Sequence, residues 1–89
     1  MGEVAARISR KLEQAFAPEQ LDVRDDSASH AGHAGARPEG ETHFEVAMTA
    51  AAFAGLGRLE RQRRVNAVLA EELAGPVHAL QLKLRAPGE

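Results

Sequence analysis

Four histidines are the residues of this chain best suited to chemistry, and no cysteine accompanies them. His30 and His33 lie in one polar segment, His43 follows that segment, and His78 heads the last apolar stretch of the chain. Imidazole titrates near neutral pH and is the commonest metal ligand among side chains. We therefore expect function where the fold brings His78 to the polar segment. The alternative is that the two loop histidines are solvated, since His-x-x-His in a loop is not by itself a site.

Arginines form the second candidate group, at the start of the predicted second helix: Arg58, Arg61, Arg63 and Arg64, against the single acid Glu60. Positive charge at a helix N-terminus opposes the helix dipole. This placement favours an anionic partner, such as a phosphate or an acidic protein face. A solvated face that serves solubility is the alternative interpretation.

Apolar side chains spaced four residues apart predict two helices that position these groups. The first covers residues 3–16 and ends before Pro18, which cannot continue a helix. The second covers residues 58–74 and ends at Gly75, a typical helix stop. Leu69 lies in the middle of the apolar stripe of the second helix, so we expect it to face the sheet.

Alternating apolar and polar residues predict three strands, at residues 21–24, 43–48 and 78–84. The first two can pair antiparallel, whereas spacing alone does not identify the neighbour of the third. Phe53, in the turn after the second strand, is expected to anchor that turn in the core. Residues 27–41 lack large apolar side chains and predict a flexible loop.

The order helix, strand, strand, helix, strand predicts an α+β domain with its helices on one face of a three-stranded sheet. Eighty-nine residues allow a single domain, 1–89, that is only marginally stabilised by its core. Its last residues, 85–89, are expected to form a frayed tail.

Composition excludes several functional classes. The absence of cysteine fits a reducing compartment, and neither a secretory signal nor a stretch of about 20 apolar residues is present, so we expect a cytoplasmic protein with no membrane contact. Eleven basic against 13 acidic residues argue against charge-driven nucleic-acid binding by the whole surface, but not by a local patch. No positioned nucleophile and no phosphate-binding glycine loop are found, so we expect no enzyme.

Six short motifs, in order, resemble those of BolA-type proteins. They are Asp26-Ser27-x-x-His30, Thr42-His43-Phe44, Phe53-x-Gly55, Arg61-x-Arg63-x-Val65, Leu69-x-Glu71-Glu72-Leu73 and Val77-His78-Ala79-Leu80. The resemblance runs from about Ile8 to Leu84. It implies the class II KH-like arrangement of the predicted helices and strands.

The resemblance also implies a partner and a cofactor. BolA-type proteins pair with monothiol glutaredoxins and share a [2Fe-2S] cluster with them, which implies His78 as one ligand and His30 as the loop ligand. His33 repeats the His-Ala-Gly pattern of His30 and could replace it. A cysteine-free chain cannot supply four thiolates, so sulfur must come from the glutaredoxin and its glutathione. We expect an adaptor in iron–sulfur trafficking or iron regulation, with no cofactor in the isolated chain.

A DNA-binding transcriptional regulator, acting through the basic face of the second helix, is the alternative function. The resemblance is incomplete there, because Gln62 and Asn66 replace a histidine and a tyrosine of the family pattern. RNA clamping has little support, since the Gly-x-x-Gly motif at Gly32 lies between strands rather than helices. His43 is expected to point away from the core and to have no ligand role. Whether the free chain forms a homodimer is left open.

Overall fold

The computed structural model describes residues 2–26 and 41–89, and their helices and strands follow the predicted order. The elements are α1 (Glu3–Phe16), β1 (Gln20–Asp25), β2 (His43–Thr49), a short 3-10 helix (Ala51–Phe53), α2 (Arg58–Val68), α3 (Ala70–Ala74) and β3 (Ala79–Arg85). The predicted α+β class is confirmed. No helix in these two ranges has the length and apolar character needed to cross a membrane.

Strand β2 is the centre of the three-stranded sheet, whose order is β1-β2-β3. It pairs antiparallel with β1, where Val46 faces Val23, and parallel with β3, where Val46 faces Leu82. Side chains of β2 alternate between buried and half-buried, because successive residues of a strand point to opposite faces. The parallel pairing identifies the neighbour of the third strand, which spacing alone had left open.

The core lies between the sheet and the helices. From α1 it takes Ile8 and Leu12, both fully buried, and from β2 it takes Phe44, Val46 and Met48. Phe53 is also fully buried, and its ring lies 5.1 Å from that of Phe16, centroid to centroid. The expected role of Phe53 as an anchor is therefore confirmed.

The predicted helix over 58–74 is in fact two helices that meet at Leu69. Leu69 has φ −100° and ψ 20°, outside the helical range, although its amide still donates to Val65 O at 3.0 Å. In α3, after this break, Glu72 lies inside the fold, where two cations of α1 bind its carboxylate. Spacing of apolar residues alone could not reveal this break, because both helices contribute to the same core.

The prediction of a frayed tail at 85–89 is wrong. Arg85 is the last residue of β3, and its carbonyl accepts a hydrogen bond of 2.9 Å from Ala50 N. The Glu89 carboxylate binds both terminal nitrogens of Arg61 at 2.6 Å and accepts from Ala86 N at 2.9 Å. These charge-assisted bonds hold the tail against the body of the domain.

Glu41, placed by sequence in the flexible loop, also has a structural role. Its Oε2 accepts hydrogen bonds from Val4 N at 2.9 Å and Ala5 N at 3.1 Å. These amides belong to the first turn of α1, where backbone donors have no partner within the helix. Glu41 therefore caps α1 from a distant part of the chain.

Candidate functional site

His78 lies just before β3, at one end of the sheet, with its side chain exposed. Its amide donates to Thr42 O at 2.7 Å, and the next amide, that of Ala79, donates to the same oxygen at 3.2 Å. On the other side, buried Val77 donates to Glu72 O at 2.9 Å. The backbone of His78 is thus held from both directions while the imidazole faces the surface.

His43, the first residue of β2, lies beside His78. The two ring centroids are 6.3 Å apart, and the ring planes meet at 74°. Nδ1 of His43 is 2.9 Å from Oγ1 of Thr42, a residue with no exposed surface. Sequence reasoning treated His43 and His78 separately, because only the parallel register, in which His43 pairs with Ala79, brings the two strand starts together.

Both flanks of the segment 27–40 are fixed at this same end of the sheet. Asp26 N donates to His43 O at 2.7 Å, and Glu41 N donates to Asp25 Oδ2 at 3.0 Å. The predicted loop ligands, His30 and His33, lie outside the described residues. What the structure establishes is that the segment carrying them starts and ends near His43.

This end of the sheet carries two imidazoles, those of His43 and His78. Within 2–26 and 41–89, no three His, Cys, Asp or Glu side chains come together in a way that could hold a metal ion. His43 and His78 supply two imidazoles, and the chain has no thiolate. A [2Fe-2S] cluster held here would need sulfur ligands from another molecule.

Arg61 makes hydrogen bonds to three parts of the fold. Its Nε donates to Leu56 O at 2.9 Å, one terminal nitrogen donates to Leu84 O at 3.3 Å, and Glu89 takes both terminal nitrogens. The guanidinium also lies 6.0 Å from the centre of the Phe53 ring. Only 11% of its side chain is exposed.

The other arginines of the predicted basic face remain at the surface. Arg64 pairs with Glu60 one helical turn away at 3.1 Å. Arg58 and Arg63 are exposed and pair with no carboxylate in the described part of the chain. Arg58 borders a groove of about 550 Å³ between α2 and β3, to which Lys83 and Arg85 also contribute.

Glu72 is a structurally important residue that sequence reasoning passed over. Its side chain is 1% exposed and binds Arg7 at 2.8 Å and Lys11 at 2.9 Å. Burial alone would raise the pKa of Glu72, but the hydrogen bond from Lys11, a backbone hydrogen bond and both cations lower it overall. The only signal in the sequence was a glutamate near the apolar stripe of the second helix, together with two cations, Arg7 and Lys11, in the first helix.

Comparison with known proteins identifies the class to which this fold and site belong. A family model described as BolA-like protein matches residues 12–89. The chain is 49% identical over 89 residues to BolA-like protein 1 of Pongo abelii, covering 100% of the chain and 62% of that protein. It is 42% identical over 79 residues to the DNA-binding transcriptional regulator BolA of Escherichia coli (strain K12), covering 89% of the chain and 71% of that protein.

The solved structures agree with the sequence relatives. The BolA domain of SufE1 from Arabidopsis thaliana superposes with a TM-score of 0.88 and 37% identity, covering 98% of this chain and 95% of that one. The chain therefore belongs to the BolA family, as the six motifs predicted. The chain spans 62% of the length of BolA-like protein 1 from Pongo abelii.

Proposed function

We propose that this chain is an adaptor that pairs with a monothiol glutaredoxin and shares a [2Fe-2S] cluster with it, in iron–sulfur trafficking or iron regulation. Membership of the BolA family supports the pairing. The observation that carries the proposal is the position of His78, an exposed imidazole on a backbone held by Thr42 and Glu72, at the sheet end where the loop segment begins and ends.

The division of ligands follows from the chain's own chemistry. Imidazole ligands on one iron and thiolates on the other are an established way to hold a [2Fe-2S] cluster and tune its potential. His78 would supply one imidazole without reorganisation, because β3 fixes its backbone. The second would come from the segment between β1 and β2, which carries His30 and His33.

Covalent geometry limits how far each loop histidine can lie from Asp26. A chain spans at most about 3.3–3.6 Å per residue. His30, four residues beyond Asp26, can therefore lie up to roughly 14 Å from it, and His33, seven residues beyond, up to roughly 25 Å. The motif around Ser27 favours His30 as the loop ligand, and His33 is the residue that could replace it.

The decisive experiment mixes the chain with a cluster-loaded monothiol glutaredoxin and follows the visible absorption and circular dichroism spectra. We expect His78→Ala to abolish the spectrum of the mixed complex and His30→Ala to weaken it. The double variant His30→Ala/His33→Ala should match His78→Ala, and His43→Ala should retain the spectrum. An unchanged spectrum with His78→Ala would refute cluster sharing by this chain.

DNA binding is the second candidate, favoured by the exposed Arg58 and Arg63 and by the similarity to the DNA-binding transcriptional regulator BolA of Escherichia coli. Arginine–phosphate contacts weaken steeply with salt, because each releases a condensed counterion. We expect Arg58→Ala/Arg63→Ala to reduce the salt slope of duplex binding by about 2. The cluster spectrum with glutaredoxin should not change, since neither residue is a ligand.

Fluorescence anisotropy of a labelled duplex at several salt concentrations measures this slope. Arg10→Ala provides a control that removes one exposed cation on a different helix, α1. Binding that is insensitive to both salt and the double substitution would exclude the DNA-binding alternative.

A further inference from the structure

His43 and His78 form a pair of imidazoles whose spacing suits a single small cation. Their ring centroids are 6.3 Å apart, with the ring planes at 74°. Zinc binds imidazole nitrogen at about 2.0–2.1 Å, so two imidazoles on one tetrahedral ion have centroids about 5–6 Å apart. The observed separation of 6.3 Å is close to that distance. We infer that these two side chains together bind a divalent late first-row transition-metal ion in the isolated chain, with no partner protein.

Both imidazoles are carried by parts of the backbone that need no ordering. His43 is the first residue of β2 and pairs with Ala79 of β3. The amide of His78 is held by Thr42 O at 2.7 Å. A site on rigid strands avoids the conformational entropy cost that a loop site has to overcome. This pair is therefore preorganised by the backbone of the sheet.

Metal-binding histidines usually donate a hydrogen bond from the ring nitrogen that does not bind the metal, and Thr42 is positioned to accept such a bond from His43. Its Oγ1 lies 2.9 Å from Nδ1 of His43 and is buried with the rest of the residue. When Nδ1–H donates to this oxygen, Nε2 carries the lone pair that a metal takes. An imidazole nitrogen that makes a hydrogen bond in the metal-free chain can still bind a metal, because the metal–nitrogen bond then replaces that hydrogen bond.

The donor chemistry selects the ion. Imidazole suits zinc, copper and nickel, whereas magnesium and calcium require several carboxylate or carbonyl oxygens. Within residues 2–26 and 41–89 the pair supplies two ligands, so the remaining positions are open to water or to small molecules. Among the suitable ions, Cu²⁺ should bind most tightly, following the usual affinity order.

Isothermal titration of the isolated chain with Zn²⁺ tests the inference. We expect one ion per chain, and a loss of affinity of at least about tenfold for both His43→Ala and His78→Ala. The double variant should lose little more than either single one, because both imidazoles serve one ion. The matched control His30→Ala/His33→Ala should retain the wild-type affinity. Loss of binding in this control but not in His43→Ala would place the ion on the loop and overturn the inference, as would no binding by the wild-type chain.

A second measurement guards against a folding defect in the variants. Addition of Cu²⁺ should broaden the backbone amide NMR signals around His43 and His78, and it should not do so in His43→Ala. His43→Cys should restore Zn²⁺ binding, because a thiolate is also a zinc ligand and no other cysteine competes. Failure of His43→Cys to restore affinity in a folded chain would mean that the rings make only an edge contact.

The two metal hypotheses can fail independently. Cluster sharing requires His78 and a loop histidine, and we expect it to survive His43→Ala. The ion site requires His43 and His78, and it is measured without glutaredoxin. Zinc binding that is lost in His43→Ala, with an unchanged cluster spectrum, would support both.

Discussion

Arg61 joins three parts of the chain through one side chain. It donates to Leu56 O in the turn before α2, to Leu84 O in β3, and to the carboxylate of Glu89. Backbone carbonyls that lose such a donor in a half-buried setting are left without a partner, which costs stability. Arg61 therefore belongs to the fold, although its position in the sequence is typical of a binding residue.

Substitution of Arg61 should consequently affect stability rather than binding. We expect Arg61→Ala to lower the melting temperature by at least about 4 °C. Arg58→Ala, on the same helix but exposed, should change stability by no more than about 0.5 kcal/mol. Thermal unfolding followed by circular dichroism compares the two. Equal melting temperatures for the two variants would show that the contacts of Arg61 are not important for the fold.

Helix α2 can be tested through a matched pair of leucines. Leu69, at the end of this helix, is 1% exposed in the core, whereas Leu59 at its start is 69% exposed. Leu69→Ala should cost about 2–5 kcal/mol of unfolding free energy, from lost burial and from the cavity left behind. Leu59→Ala should cost no more than about 0.5 kcal/mol. Urea unfolding measures both, and similar losses would mean that the buried face of the helix is wrongly assigned.

Periodicity in the sequence was sufficient to predict the order of the elements and the limits of α1, because the contacts that decide them are local. It did not predict the break at Leu69, since apolar residues on both sides of the break still face one core. It also could not show that β3 lies parallel to β2, a pairing between residues as distant as His43 and Ala79. The candidate site depends on that pairing, so the motifs named His43 and His78 separately, and the sequence did not predict that the two rings lie side by side.

The molecule as a whole should lose stability in acid through two carboxylates. The hydrogen bonds from Arg61 and from the Ala86 amide lower the pKa of Glu89 from 4.5 to about 2, and the pKa of Glu72 is also lowered. A folded-state pKa below the unfolded value stabilises the fold fully above that unfolded value. For Glu89 this contribution is lost as the pH falls from about 4.5 to about 2.

Urea unfolding at a series of pH values between 7 and 2 measures this acid dependence. Glu72→Gln should flatten the curve below about pH 4.5, because the buried group can no longer gain a proton. It should also lower stability at pH 7, since Arg7 and Lys11 lose their charged partner. Glu19→Gln, which changes an exposed residue between α1 and β1, is the control. Parallel curves for wild type and Glu72→Gln would disprove this role for Glu72.

The mixed sheet has a consequence for the time course of folding. The antiparallel pair β1–β2 forms between neighbouring strands, whereas β3 can join only after α2 and α3 have crossed the sheet. Contacts distant in sequence form late, because closing a long loop costs entropy before any pairing compensates for it. His43 and His78 therefore meet in one of the last steps of chain assembly. A newly synthesised chain would acquire its histidine pair only when the domain is complete.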